Sequence, residues 1–350
     1  MSGPLAYDLS FEDWVAVFAG WNEPRYRARQ VWSQLYRRLA PTPASMMDLP
    51  AGVRQKLAES FDFSGLRPHI ERTSSDGTTE KTLFRLADQK EVETVLMRYD
   101  QRRTVCISTQ AGCGMGCPFC ATGQMGFLRH LTSGEIVAQV LHFARRLAQS
   151  GDRLTNIVVM GMGEPFHNYD ATLAALDRLH DADGFGFAER RSTISTVGLV
   201  PMIDRFTSER RQINLAVSLH AATDELRSKM IPINQRYPLP VLREACRNYT
   251  ETSRRRLTLE WALIEDVNDG QDQAEALVAW ARGMLCHVNV IPLNPTRGYA
   301  GQPSTQHRVG AFREVLERGG LSCTVRVRRG LDIQAGCGQL ATENQAALAV

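Results

Sequence analysis

Cys113, Cys117 and Cys120 fall in the pattern Cys-x3-Cys-x2-Cys, within Cys113-Gly114-Met115-Gly116-Cys117-Pro118-Phe119-Cys120. Thiolates this close in sequence can hold one metal centre, and cysteine thiolates are the ligands of iron-sulfur clusters. A structural zinc site is the rival reading. It wants a closed shell of four ligands at zinc-finger spacings, and no nearby cysteine pair or Cys/His pair completes one. A cluster with only three protein ligands leaves one iron open to a chelating small molecule.

Other chemistry-bearing residues follow the triplet at intervals. Gly161-Met162-Gly163-Glu164-Pro165 comes directly after an apolar run. A glycine turn at a strand end lets backbone groups approach a ligand, and a carboxylate there can receive an ammonium group; alone, such a turn is common. Ser195, Ser218-Leu219-His220 and Asn294 close later apolar runs. Each alone reads as a turn or cap, and together they mark one rim. Of the remaining cysteines, Cys246, Cys286 and Cys323 sit in apolar or helical contexts and read as small buried residues. Cys106 lies in Thr104-Val105-Cys106-Ile107-Ser108-Thr109-Gln110, and Cys337 in the glycine-rich Gly330-Leu331-Asp332-Ile333-Gln334-Ala335-Gly336-Cys337-Gly338-Gln339-Leu340. A cysteine in such a loop is expected to be mobile and exposed.

The elements that must position these groups change character along the chain. From Phe11 to Phe61 the texture is helical: Trp14, Val15 and Phe18 are apolar at helical spacing, and Val31, Leu35 and Leu39 repeat the pattern. From Gly65 to Tyr99 the chain alternates as strands do, through Thr82, Phe84 and Leu86, then Val92, Thr94 and Leu96, with Asp76-Gly77 as a turn signal. Beyond Arg103, six apolar β-rich runs alternate with helical stretches: Val105 to Ile107, Ile157 to Met160, Thr193 to Thr196, Leu215 to Leu219, Leu257 to Leu263 and Val288 to Ile291. The clearest helix opens on the capping box Thr132-Ser133-Gly134-Glu135 and buries Ile136, Val140 and Leu147, with Val137 and Leu141 beside them. Strands separated by helices pair in parallel through right-handed crossovers. Six units are too few for a closed eight-stranded barrel, so the expectation is an α/β fold with a partial, open (β/α)6 barrel and its reactive residues at the C-terminal strand ends.

Composition narrows the class. The chain has 350 residues, 43% hydrophobic and 23% charged, as in an ordinary globular protein. Met1 to Ser10 shows no basic segment followed by an apolar one, and no later run approaches the roughly 20 apolar residues of a membrane span, so a cytoplasmic protein without membrane association is expected. In that compartment eight cysteines are not a disulfide framework. A net charge of +3 announces no polyanion, but arginines cluster at 25, 27 and 29, at 37 and 38, at 102 and 103, at 254 to 256, and at 326, 328 and 329. Such clusters are commonly solvated faces; guanidinium groups also suit phosphate and base stacking, which permits an RNA partner.

The triplet at this place in a partial barrel resembles the cluster motif of the radical S-adenosylmethionine superfamily. The resemblance implies a 4Fe-4S cluster on Cys113, Cys117 and Cys120, with S-adenosylmethionine on the open iron. The Gly163-Glu164 turn would hold its ammonium, and Ser195, Ser218, Leu219, His220 and Asn294 would complete the cofactor site. Phe119 would lie against the cofactor, though it reads equally well as a core aromatic. Cys106 before the triplet, the turn from Gly161 to Pro165, and Cys337-Gly338-Gln339-Leu340 together resemble the RlmN/Cfr RNA adenosine methyltransferases from about Glu91 to Leu340. Gly336 stands where alanine is expected, a local departure between two small residues.

The family resemblance implies an N-terminal helical RNA-binding domain over 1–63, a β-hairpin linker over 64–100 and a radical S-adenosylmethionine core over 101–345. It further implies two uses of the cofactor: Cys337 is first methylated, and its S-methyl group, converted to a methylene radical, then adds to an adenine carbon. Cys106 would release the product through a transient disulfide with Cys337, and Glu93 would accept the ring proton. Without the resemblance Glu93 reads as a solvated strand carboxylate. The implied substrates are an adenosine in 23S ribosomal RNA and one beside the anticodon of some transfer RNAs. Methylation is expected at C2, with C8 as the alternative, by a monomer that takes electrons from a donor such as flavodoxin. Competing readings are a radical S-adenosylmethionine enzyme with another substrate and a non-catalytic RNA-binding module with a structural metal.

Overall fold

The computed structural model describes residues 3–342, so positions 343–345 of the expected core lie outside the described residues. The chain opens with three helices, α1 (Phe11–Gly20), α2 (Tyr26–Tyr36) and α3 (Ala51–Ser60). Ser10 starts α1 with the reciprocal bonds of a capping box: Asp13 N–H donates to Ser10 Oγ at 3.2 Å, and Ser10 N–H to Asp13 Oδ2 at 2.8 Å. Trp14 and Phe18, four apart, are fully buried, with the Trp14 ring 5.0 Å from that of Phe61. Val31 and Leu35 are buried on α2 as their spacing predicts, but Leu39 is not helical: α2 ends at Tyr36, and Leu39 takes a left-handed backbone with φ 56°. Arg178 donates to the carbonyls of Tyr7 and Asp8 (2.8 and 2.7 Å), Trp32 Nε1 donates to Asp181 at 3.1 Å, and one apolar core runs through the helices and the sheet.

Next come β1 (Arg67–Thr73), β2 (Thr79–Arg85) and β3 (Glu91–Arg98), an antiparallel ribbon of three strands where a hairpin linker was expected. The ribbon is continuous with the main sheet, because β3 pairs antiparallel with β4 (Arg103–Cys106), Val95 opposite Cys106. Side chains on both faces of β2 and β3 are buried, so the period-2 alternation separates two covered faces, and Glu93 is not a solvated carboxylate.

The elements β5 (Gln110–Gly112), α4 (Ala121–Gln124) and β6 (Phe127–His130) form a small excursion that carries the cysteine triplet; β5 and β6 pair antiparallel. The barrel rhythm then continues through α5 (Ser133–Gln149), β7 (Asn156–Val159), α6 (Tyr169–His180), β8 (Ser192–Thr196), α7 (Val200–Ser208) and β9 (Asn214–Ser218). It closes with α8 (Asp224–Met230), α9 (Leu239–Ser253), β10 (Leu257–Leu263), α10 (Gln271–Ala281), β11 (Cys286–Pro292), α11 (Gln306–Arg318) and β12 (Cys323–Val325). The order β4-β7-β8-β9-β10-β11 reproduces the six expected units, all parallel, and β12 adds a short seventh parallel strand after β11. The expected capping box starts α5: Glu135 N–H donates to Thr132 Oγ1 at 3.1 Å and Thr132 N–H to Glu135 Oε2 at 2.9 Å.

Among the described residues β12 does not pair back onto β4 or β1, so the sheet stays open. The chain after β12 crosses that opening to reach the ribbon. Arg329 lies over the Tyr99 ring at 4.6 Å, Asp332 accepts from Ser75 N–H at 2.8 Å, Lys81 donates to Gln334 O at 3.2 Å, and Ala341 N–H donates to Glu93 at 2.9 Å. This strap carries Cys337.

Candidate active site

The triplet loop is shaped by glycines in left-handed conformations. Gly112 (φ 70°) brings the backbone so close to Gly126 that a Cβ would lie 2.0 Å from its carbonyl oxygen, and Cys113 N–H donates to that oxygen at 2.8 Å. Cys113 and Cys117 are buried and Cys120 is half-buried. Burial pushes the Cys113 thiol up to about 12 and that of Cys117 well above its ordinary value, and the neighbouring cysteines push the same way. Thiolates held this way need cationic metal to stay ionised, which suits an iron-sulfur cluster. No group of three or more His, Cys, Asp or Glu among the described residues gathers tightly enough for a single metal ion. A cluster of several irons is wider than one ion, so its thiolates need not converge on a point.

Beside the triplet a cavity of ≈ 170 Å³ opens at the C-terminal ends of the barrel strands. Cys117, Cys120 and Phe119 line one part of it, and the cofactor-site candidates Gly163, Glu164, Ser195, Ser218, His220 and Asn294 line the rest together with Cys337. Cys113, Leu219, Cys106 and Glu93 do not reach its wall.

Glu164 follows Gly163, whose φ of 100° and tight contact with Gln110 leave no room for a side chain: a Cβ would stand 2.6 Å from Gln110 Cβ. Gln110 Oε1 accepts from Glu164 N–H at 2.9 Å and so fixes the turn. The Glu164 carboxylate accepts backbone N–H bonds from Phe166 (3.0 Å) and Val197 (2.9 Å), yet burial dominates and raises its pKa to about 7. A ligand ammonium would restore its ionisation.

Ser195 Oγ and Ser218 Oγ stand 3.4 Å apart on adjacent strands. His220 takes a left-handed backbone (φ 59°) and accepts the Ala262 N–H at Nδ1 (2.8 Å), with its ring edge-on to Phe119 at 5.1 Å. Burial, reinforced by Arg227, pulls its pKa down to about 3, so it stands neutral. Asn294 donates to the Cys337 carbonyl at 3.0 Å, while its own buried Oδ1 has no hydrogen-bond partner. Leu219 is fully buried and contributes backbone alone: its N–H donates to Glu260 O at 3.0 Å.

Cys337 is exposed as a residue, as expected of its loop, and lines the cavity; desolvation at its sulfur still raises its thiol, against the pull of Arg326. Cys106 is buried at the end of β4, its thiol pushed up to about 12 by burial and by Cys337 nearby. Arg326 feels both sulfurs. Of the small buried cysteines, Cys246 and Cys286 are buried, whereas Cys323 on β12 is half-buried.

Three residues that matter here carry no motif. Glu260 on β10 lines the cavity; Asn289 donates to its Oε1 at 3.0 Å, and its buried Oε2 has no hydrogen-bond partner. A lone glutamate inside the apolar run Leu257 to Leu263 was the available signal. Arg227 is fully buried and stitches the strand ends together, donating to Leu219 O (3.1 Å), Val197 O (2.7 Å), Ser218 O (3.3 Å) and Asn234 Oδ1 (2.8 Å). Lys81 pairs with Glu93 at 2.7 Å. Several clustered arginines are engaged within the chain: Arg25 with Glu12 and Arg38 with Asp48, both in exposed pairs, and Arg255 with Asn214.

Comparison with known proteins agrees with this geometry. The Radical SAM superfamily profile matches residues 107–271. The dual-specificity RNA methyltransferase RlmN 1 of Myxococcus xanthus is 52% identical, the match covering 95% of this chain and 93% of that one. A probable dual-specificity RNA methyltransferase RlmN of Chloroflexus aurantiacus is 49% identical over 96% of this chain and 92% of its own. The crystal structure of a radical SAM methyltransferase from Sphaerobacter thermophilus superposes with a TM-score of 0.94 at 49% identity, covering 96% of this chain and 99% of that one.

Proposed function

For a chain that belongs to the RlmN family of radical S-adenosylmethionine RNA methyltransferases, we propose that it methylates C2 of one adenosine in 23S ribosomal RNA and of the adenosine beside the anticodon in some transfer RNAs, by way of a methylated Cys337. The family implies a 4Fe-4S cluster and S-adenosylmethionine. When bound, they supply the electron and the 5′-deoxyadenosyl radical that abstracts hydrogen from an unactivated methyl group.

The observation that carries this reading is that Cys337 shares one cavity with Cys117, Cys120 and Glu164. A methyl group on its sulfur would stand where a cofactor chelated at the triplet could reach it. Cys337, once its thiol proton is lost, takes the methyl group of a first cofactor by displacement. In the second stage its methylene carbon bonds to the adenine carbon, and the base is joined to the protein. Glu93 takes the ring proton. Cys106 attacks the Cys337 sulfur; the S–S bond forms, the S–C bond breaks, and the methylene carbon keeps the electron pair and takes the proton of the Cys106 thiol. Summed over that stage, the cofactor, the S-methyl group, the adenine C–H and the thiol give methionine, 5′-deoxyadenosine, methyladenine, the disulfide and one proton. That sum consumes no net electron.

Residues 1–63 serve in this reading as the RNA-gripping domain, 64–100 as its linker and 101–345 as the catalytic core. The target base must leave its stack to reach the cavity. Mass spectrometry tests the proposal twice: peptides of freshly isolated enzyme should carry a methyl group on Cys337, and digested RNA from cells lacking the protein should have lost 2-methyladenosine. Unmethylated Cys337 in active enzyme, or loss of 8-methyladenosine instead, contradicts it.

A further inference from the structure

Glu93 does not line the cavity; it faces the strap that carries Cys337. Its Oε2 accepts the N–H of Ala341 at 2.9 Å, and its Oε1 lies 2.7 Å from Lys81 Nζ. Lys81 Nζ also donates to the carbonyl of Gln334 at 3.2 Å. On the antiparallel pair β2–β3, Glu93 stands opposite Leu83 and Lys81 opposite Val95, so the two charges are diagonal neighbours on one face. The Lys81 and Glu93 side chains are 9% and 3% exposed, too little for water to replace the contact. Gln334 and Ala341 lie on either side of Cys337. The ion pair therefore grips the strap both before and after the sulfur.

We propose that Lys81 is a positioning residue of the methylation reaction: its ammonium holds the Glu93 carboxylate, and through Gln334 the strap, in the register that lets Glu93 meet a base joined to Cys337. This rests on the reading in which Glu93 accepts the ring proton. A neighbouring cation offsets the desolvation of a carboxylate buried to this degree and favours its ionised, proton-accepting form. Neutral hydrogen bonds to the strap fix its place without supplying that charge. The groups packed on Glu93 include Lys81 from β2, the Ala341 N–H from the strap, the Met162 sulfur on its N–H (3.3 Å) and the Ser108 hydroxyl on its carbonyl (2.6 Å).

The test is a single-turnover assay on anaerobically purified, cluster-loaded full-length enzyme with RNA substrate, comparing Lys81→Met, Lys81→Gln, Lys81→Arg and Glu93→Gln. Lys81→Met should keep its iron, its methylated Cys337 and its yield of 5′-deoxyadenosine. It should slow release of methylated RNA about tenfold or more and accumulate RNA linked to protein. The acid limb of its release profile should move up, since the Glu93 carboxylate has lost the Lys81 charge beside it. Lys81→Arg should restore most of the rate. Lys81→Gln, which keeps a donor but no charge, shows the same upward shift and covers the case in which Lys81→Met loads no iron. Release with the wild-type rate and pH profile in the Lys81 variants, while Glu93→Gln accumulates adduct, overturns the role of Lys81 alone. No adduct in Glu93→Gln overturns the reading of Glu93 beneath it.

Discussion

Replacing Arg227 by Met should loosen the cofactor rim as a unit. The methionine can fill the aliphatic part of the arginine's space, but it leaves four acceptors, buried on Leu219 and Asn234 and part-buried on Val197 and Ser218, without this donor. At about 1 kcal/mol for each, the gross loss is about 4 kcal/mol. Against it stands the burial of the guanidinium, which pulls its pKa down to about 10; removing a desolvated cation returns part of that sum. A net loss of about 2–3 kcal/mol follows, which at roughly 2 °C per kcal/mol for a chain of this size lowers the thermal midpoint by about 4–6 °C. The functional effect should exceed the stability effect. Val197 supplies an N–H to Glu164, and Ser218 and Leu219 belong to the rim itself, so S-adenosylmethionine should bind about tenfold or more weakly, some 1.4 kcal/mol. Calorimetry of the cluster-loaded protein, with and without cofactor, reads both numbers. A variant that melts within a degree of wild type and binds the cofactor equally well would refute the idea that this arginine holds the rim.

Gly163→Ala should fold yet lose cofactor affinity about tenfold, because a Cβ at φ 100° would press on Gln110 and displace the Glu164 turn; equal affinity by titration would remove that turn from the cofactor site. His220, held near pKa 3 against an ordinary 6.5, imposes a stability loss that is absent above pH 6.5 and grows as pH falls, since only the unfolded chain then takes the proton. Between pH 7 and pH 5 that amounts to about 2 kcal/mol. Urea titrations of His220→Asn at the two pH values should show a correspondingly smaller loss than wild type, and an identical loss would mean that the ring is already charged or exposed.

What could be read from the sequence was what is written locally. The cysteine triplet, the Gly163-Glu164 turn and the α5 capping box are short-range patterns, and the six parallel strands from β4 to β11 announce themselves as apolar runs. β12 did not, because two half-buried residues around an exposed one, between a glycine pair and an arginine cluster, are too short a run to show a period. Strand alternation on β3 misled about Glu93, since alternation separates two faces without saying that both are covered. Lys81 and Arg227 carry no pattern of their own, and Glu260 only that of a lone glutamate in an apolar run: Gln334 on the strap, Val197 at another strand end and Asn289 on β11 meet them only through the fold. Cys106 and Cys337, more than two hundred residues apart, could be paired only through the resemblance.

The most direct measurement of the central claim is the fate of RNA on Cys106→Ala. If Cys106 only releases the product, the variant should bind its cluster, carry methylated Cys337 and let the radical add to adenine, and then fail to let go. Denaturing gels of the purified variant should show a nuclease-sensitive species of higher mass, absent when Cys337 is replaced as well. The lost side chain itself should cost no more than about 1–2 kcal/mol of stability, as a small core truncation does. A well-folded, cluster-loaded Cys106→Ala enzyme that turns over repeatedly and traps no RNA would contradict the account.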